Sequence, residues 1–130
     1  MYKYIIMKLN EILISAVAML VIDSFYLTNL SQYFNQVFSK VQGSDLKLDI
    51  YGAILCYIIL VFGLNYFIIN EKKNLFDAFL LGFVIYGVYE ATNYATLKNW
   101  PLSMVLIDSL WGGVLFALTT LLTYKFLKLN

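Results

Sequence analysis

Three acidic side chains stand inside stretches of sequence that are otherwise apolar: Asp23, Glu90 and Asp108. A carboxyl group in such a setting can bind a cation, hold or relay a proton, act as a general acid or base, or accept hydrogen bonds from neighbouring helices. On the insertion scale, an acidic residue near the centre of a spanning helix costs about 2.5–3.5 kcal/mol. Three unrelieved ones would cost on the order of 8–10 kcal/mol, comparable to the stability of a whole domain. No lysine in the same stretches lies near enough to pair with them, Lys125 standing at the far end of the fourth. The three must face one another, a cavity or strong hydrogen-bond donors. With like charges close and no built-in cation, either at least one carboxyl carries a proton or an exogenous cation supplies the missing charge.

The elements that must position these groups follow from composition. Of the 130 residues, 62% are hydrophobic and 13% charged, against roughly half and a quarter in soluble domains. A soluble domain of this size leaves too much of its area exposed to hide so much apolar surface. The composition predicts an all-α integral membrane protein, a bundle of four transmembrane helices whose main partner is the lipid bilayer. Four stretches reach the ~20 residues needed to cross it: residues 12–30, 50–69, 76–97 and 101–126. After the first, Asp23-Ser24-Phe25-Tyr26 offers no small-x-small cleavage site, which argues against a removed signal peptide.

The long connection, residues 31–49, is expected on the outer side. In it Phe34, Val37, Phe38 and Val41 recur at helical spacing opposite Gln36, Ser39 and Lys40. That pattern predicts a short amphipathic helix on the membrane surface, or an extension of the first span. Gly43-Ser44 would end it, and Asp45 could cap the approach to the second span. Pro101 suits the first turn of the fourth span, and Trp100 stands where an interfacial aromatic anchor belongs. Lys3, Lys8, Lys72, Lys73, Lys125 and Lys128 fall on one side, against Lys40, Lys47 and Lys98 on the other. Lysine excess marks the cytoplasmic face, so both termini are expected inside. The membrane would be a bacterial inner membrane, or a host membrane for a viral source.

Depth brings the acids together. Asp23 and Glu90 each lie seven residues before the end of their spans, and Asp108 seven after the start of its own. At 1.5 Å per residue, all three sit roughly 10 Å below the same boundary. Tyr57 reaches that depth on the second span, Asn93 is one turn from Glu90, and Trp111 is one turn from Asp108. Asp23, Tyr57, Glu90, Asn93, Asp108 and Trp111 are therefore the candidate ligand- or ion-binding residues, while Asn65 lies much deeper. Small residues at four-residue spacing (Ala78/Gly82, Ala91/Ala95, Gly113/Ala117) allow close helix approach.

Several chemistries are excluded or left without support. All nine basic residues are lysines, and there is no histidine. That removes bidentate phosphate clamps, imidazole switches and histidine metal sites. The lone Cys56 can form neither a disulfide framework nor a thiolate cluster. No basic patch suggests nucleic acid. No catalytic residue, metal site or cofactor is assigned.

The run Tyr89-Glu90-Ala91-Thr92-Asn93-Tyr94-Ala95-Thr96-Leu97, then Trp100-Pro101, then Asp108-Ser109-Leu110-Trp111-Gly112 resembles a family of small predicted membrane proteins, the domain-of-unknown-function family twenty-one seventy-seven. Its pattern is similar to Y-D-x-T-N-x-A-T-L, W-P and D-x-x-W-G. Asp23 with Phe25-Tyr26-Leu27 is similar to the family's D-x-x-W-L. Here Glu90 replaces the usual Asp, and Tyr26 stands where Trp is usual. The resemblance implies a four-helix membrane protein and brings no established activity.

Three functional readings stay open. One is a small transporter or carrier in which the acids bind a cation, a proton or a small cationic solute, with Asn93 and Trp111 lining the site. Four helices make a thin wall for a pathway, so this version expects a homo-oligomer. The second is a non-catalytic scaffold whose acids only fasten helices together. The third, a lipid-modifying enzyme using the carboxyls as acid and base, lacks an arginine for head groups and a nucleophile motif.

Overall fold

The computed structural model describes residues 2–128, with side chains from Lys8 onward; Lys3, used in the lysine count, has its side chain outside the described residues. Lipid offers no hydrogen bonds to a backbone, so long Leu-, Ile-, Val- and Phe-rich runs without proline satisfy their amides internally as helices. The chain forms α1 (Tyr2–Asn29), α2 (Ser31–Gln42), α3 (Ile50–Leu64), α4 (Leu75–Thr96) and α5 (Leu102–Leu127). A π-helical turn, Asn65–Ile69, continues α3. Four segments are long and apolar enough to cross a membrane: Lys8–Asn29, Ile50–Ile69, Leu75–Thr96 and Leu102–Leu127. The protein is an all-α, multi-pass membrane protein.

Local chemistry fixes the helix ends. Gly43, at φ 78°, closes α2 in the left-handed conformation that glycine adopts without strain. The cap of α3 is Asp49, whose Oδ1 accepts from the amides of Tyr51 and Gly52 at 3.0 and 3.3 Å. The expectation for Asp45 is corrected here: it lies five residues before the start of α3, and its carbonyl accepts from Gln42 Nε2 instead. Asn74 caps α4 through the Asp77 amide at 2.8 Å. The Tyr124 hydroxyl donates to Lys73 O at 2.7 Å, holding the α3–α4 turn against the end of α5.

α5 is the central helix. Against α4 it packs backbone to backbone, because Gly82 faces Gly112. A methyl group added at Gly82 would overlap the Gly112 carbonyl, one at Gly112 would come within 2.6 Å of Gly82 O, and one at Gly113 would meet the Phe79 ring at 2.6 Å. Such close approach is how small residues let helices associate in lipid, where dispersion and hydrogen bonds replace the hydrophobic drive. Ala91 and Ala95 face outward and take no part. On its other side α5 receives α1, whose buried stripe is Glu11, Ser15, Met19 and Asp23. α3 lies against α1 and adds Leu60, Val61, Leu64, Ile68 and Ile69 to a core with Met19, Ala78, Leu115 and Phe116. The outward faces carry large apolar side chains such as Phe25, Ile58, Phe62, Val88 and Leu106, suited to lipid.

α2 folds across the start of α5. Phe34 and Val37 pack on Trp100 and Met104, Tyr33 Oη and Ser103 Oγ are 2.6 Å apart, and Asn99 Nδ2 donates to Lys40 O at 3.4 Å. The fold has a test in its tightest contact. Gly82→Ala and Gly112→Ala should each lower stability by about 1–3 kcal/mol through overpacking. Gly63→Ala, whose new methyl meets nothing within 4 Å, should leave the thermal midpoint in detergent unchanged or slightly raised.

Candidate functional site

The three intramembrane carboxyls come together at the end of the bundle that α2 covers, and a chain of hydrogen bonds joins all four spanning helices there. Asp23 on α1 accepts at both oxygens: Tyr57 on α3 donates its hydroxyl to Oδ2, and Trp111 on α5 donates Nε1 to Oδ1 at 2.8 Å. Tyr26, one turn beyond Asp23, donates its hydroxyl to Asp108 Oδ1 at 3.0 Å. Its ring stacks on the Trp111 indole with centroids 4.3 Å apart and planes 6° from parallel. Glu90 on α4 reaches across to the Asp108 carboxyl, within hydrogen-bond distance. The far oxygen of the chain, Glu90 Oε1, accepts from Trp100 Nε1 at 2.9 Å.

Burial follows the same path. Glu90 is 1% exposed and Asp23 5%, so water cannot solvate them, while Asp108, Tyr26, Tyr57 and Trp111 are half-buried. The donors are all phenols and indoles, side chains that carry one polar hydrogen on a large apolar body. This lets a helix supply a donor to a buried acid while its ring fills the apolar space around the bond. Glu90 rather than Asp gives the extra methylene by which a carboxyl on α4 meets both Asp108 and Trp100.

Of the six candidate residues, the structure connects Asp23, Tyr57, Glu90, Asp108 and Trp111. It does not connect Asn93, which is half-buried at the edge of α4 and bonds Tyr89 one turn back. Beyond Glu90 this face of α4 has passed the start of α5 and has no helix to face. Asn65 stays apart, bonded to Ser15 Oγ and Val61 O.

Two members of the chain went unassigned in the sequence. Trp100 is no outward-facing anchor: it is 5% exposed, wedged edge-on against Phe38 of α2 at 5.3 Å. The signal for it was an indole N–H next to a helix whose nearest acid is Glu90. Tyr26 carried the signal of a phenol one turn from Asp23. A fourth acid, Glu11, stands one residue before the first predicted span, at one end of the buried stripe of α1, and it is 9% exposed.

A groove of about 380 Å³ between α1 and α5, lined by Val21, Ile22, Phe25, Tyr26, Asn29 and Trp111, reaches the aromatic stack from the side of the bundle. Among the described residues no group of three or more His, Cys, Asp or Glu is placed to hold a metal ion. The buried side-chain oxygens left without a partner lie elsewhere, at Glu11, Asn65, Thr119 and Thr120.

Deleting one donor strands a buried acceptor, at a cost of about 1–3 kcal/mol. Trp100→Phe should therefore lower the unfolding midpoint clearly, and in a Glu90→Leu background the same change should cost much less. Asn93→Ala should be close to neutral. Thermal unfolding followed by the fluorescence of the remaining indole reads all of these, since Trp100 and Trp111 are the two tryptophans of the chain.

No curated protein and no solved structure matches the chain significantly. The model of one family does, described as "Predicted membrane protein (DUF2177)", and it matches residues 8–125. That span takes in all four spanning helices and every residue of the carboxyl chain, and the protein belongs to this family.

Proposed function

We propose that this protein is a small proton-coupled membrane carrier in which the Glu90–Asp108 pair takes up and releases the proton. The observation that carries this reading is the pair itself. Two carboxyl groups from different helices lie within hydrogen-bond reach, one of them 1% exposed, and a bond between two carboxyls needs a hydrogen from one of them. Amides or hydroxyls would fasten helices at lower cost, and ionisable groups in the membrane interior mark ion or proton paths by default. Tyr26, Tyr57, Trp100 and Trp111 already occupy carboxyl oxygens that a cation or cationic solute would need. At this layer a proton is favoured over a metal ion.

The half-buried side of the pair supports the same reading. Tyr26 and Trp111 border the groove between α1 and α5, so a solute entering from the lipid side would meet the aromatic stack next to Asp108. Four helices enclose little space, which supports a homo-oligomer as the working unit. The lysine excess supports cytoplasmic termini, with the carboxyl layer nearer the opposite face.

One observation favours a second reading, a non-catalytic scaffold: each of the three carboxyls already has an in-chain donor, enough to explain their presence as fasteners. The two readings separate experimentally. In liposomes holding a pH-sensitive dye, the wild type should move protons under an imposed gradient, and Glu90→Gln and Asp108→Asn should each slow this at least tenfold with little change in melting temperature. Infrared spectra of the wild type should show a protonated-carboxyl band that both variants lose. Proton movement no faster than in empty vesicles, together with amide variants indistinguishable from the wild type, would leave the scaffold.

A further inference from the structure

A second polar belt crosses the bundle at the end away from Trp100. Its place follows from the register of α1 on α5. Trp111 bonds Asp23 and Tyr26 bonds Asp108, so the two antiparallel helices are pinned level there. Each four-residue step back along α1 is then matched by one forward along α5. Met19 comes level with Leu115, Ser15 with Thr119 and Glu11 with Thr123, and all six are buried. From α3, Asn65 joins this belt by donating Nδ2 to Ser15 Oγ at 2.9 Å.

The hydrogens of Ser15, Thr123 and Asn65 are spent, while the Thr119 hydroxyl keeps both its hydrogen and its lone pairs. Ser15 gives its hydroxyl hydrogen to Ile12 O, and Thr123 gives its own to Thr119 O. Asn65 uses its amide hydrogens on Ser15 and on Val61 O, which leaves Oδ1 facing inward as an acceptor. Asn65 Oδ1, Thr119 Oγ1 and Glu11 Oε1 have no partner among the described residues. Buried groups of this kind are rare in folded proteins and ask for an occupant. Asn65 also begins the π-helical turn, a distortion found often at functional sites.

We propose that Glu11, Ser15, Asn65 and Thr119 form a binding site for a small monovalent cation of the sodium type. Hard cations take oxygen ligands, and here the available groups are oxygens from three helices. One carboxylate among neutral oxygens matches a single positive charge. The Lys8 and Lys72 ammonium groups, within electrostatic range of Glu11, repel any cation there, a divalent ion twice as strongly as a monovalent one. A groove of about 410 Å³ between α1 and α3, lined by Ile12, Asn65, Tyr66 and Asn70 among others, leads to the site. Met19, Leu64 and Leu115, none of them exposed, form an apolar layer between this belt and the carboxyls. The cation site does not rest on the proton reading, and neither falls with the other.

The test is thermal unfolding of the purified full chain in sodium chloride against choline chloride at equal ionic strength. Ligand binding to the folded state raises the midpoint in proportion to the logarithm of saturation. Sodium should give a saturable upward shift of several degrees that choline does not. Asn65→Ala and Thr119→Val should each abolish that increment, whereas Glu90→Gln should retain it. Thr119→Val should raise the midpoint in choline, because it removes a stranded hydroxyl, while losing the response to sodium. Equal midpoints in the two salts, or a sodium increment that survives both belt substitutions, would overturn the proposal. A wild type indifferent to salt with a destabilised Thr119→Val would overturn it in favour of ordered water in the belt.

Discussion

A carboxyl oxygen inside hydrocarbon has no water to turn to, and that constraint organises this molecule. Asp23 answers it with two donors from two other helices, Tyr57 and Trp111. Because an acceptor in lipid is strongly penalised when left alone, each of these bonds fixes a rotation and a depth as well as supplying energy. Trp111 sets the register of α5 on α1, and Tyr57 ties the sparsely packed α3 to the rest. Asp108 and Glu90 carry the same logic to α4 and to the Trp100 turn. The close Gly82–Gly112 contact then fits within a frame whose heights are already specified.

What was legible in the sequence was what depends on length and rise. Span number follows from apolar run length, and the common depth of Asp23, Glu90 and Asp108 follows from the fixed rise of a helix. What was not legible depends on which way a residue points once other elements arrive. Trp100 looks like an interfacial anchor until α2 folds over it and turns its N–H towards Glu90. Asn93 lies one turn on from Glu90 and only about 60° round the helix from it, yet it stands where α4 outruns α5 and has no helix to face. Glu11, close to Lys8 in sequence, reads as the edge of the membrane, and only the unbroken stripe of α1 shows it to be buried against the other helices.

The aromatic donors give the layer a character that amides would not. Tyr26 stacks on Trp111 while bonding a different acid from the one Trp111 bonds. A change at Asp108 that moved Tyr26 would press directly on the donor of Asp23. The two acids are thereby coupled through a rigid stacked pair, which needs no direct contact between them. α2, lying over Trp100, shields the Glu90 end of this chain from the aqueous side.

The order in which the bonds become available has a consequence for biosynthesis. Among the four spanning helices, the one with Asp23 is made before the one with Tyr57, and that with Trp111 after both. While the chain is being made, α1 carries a carboxyl whose second donor does not yet exist, so its insertion bears a cost that is relieved only when α5 arrives. A chain truncated before residue 111 would thus lose more than a helix. It would leave the first helix holding an acid half-satisfied, the kind of exposed intramembrane polar group by which quality control recognises unassembled membrane proteins.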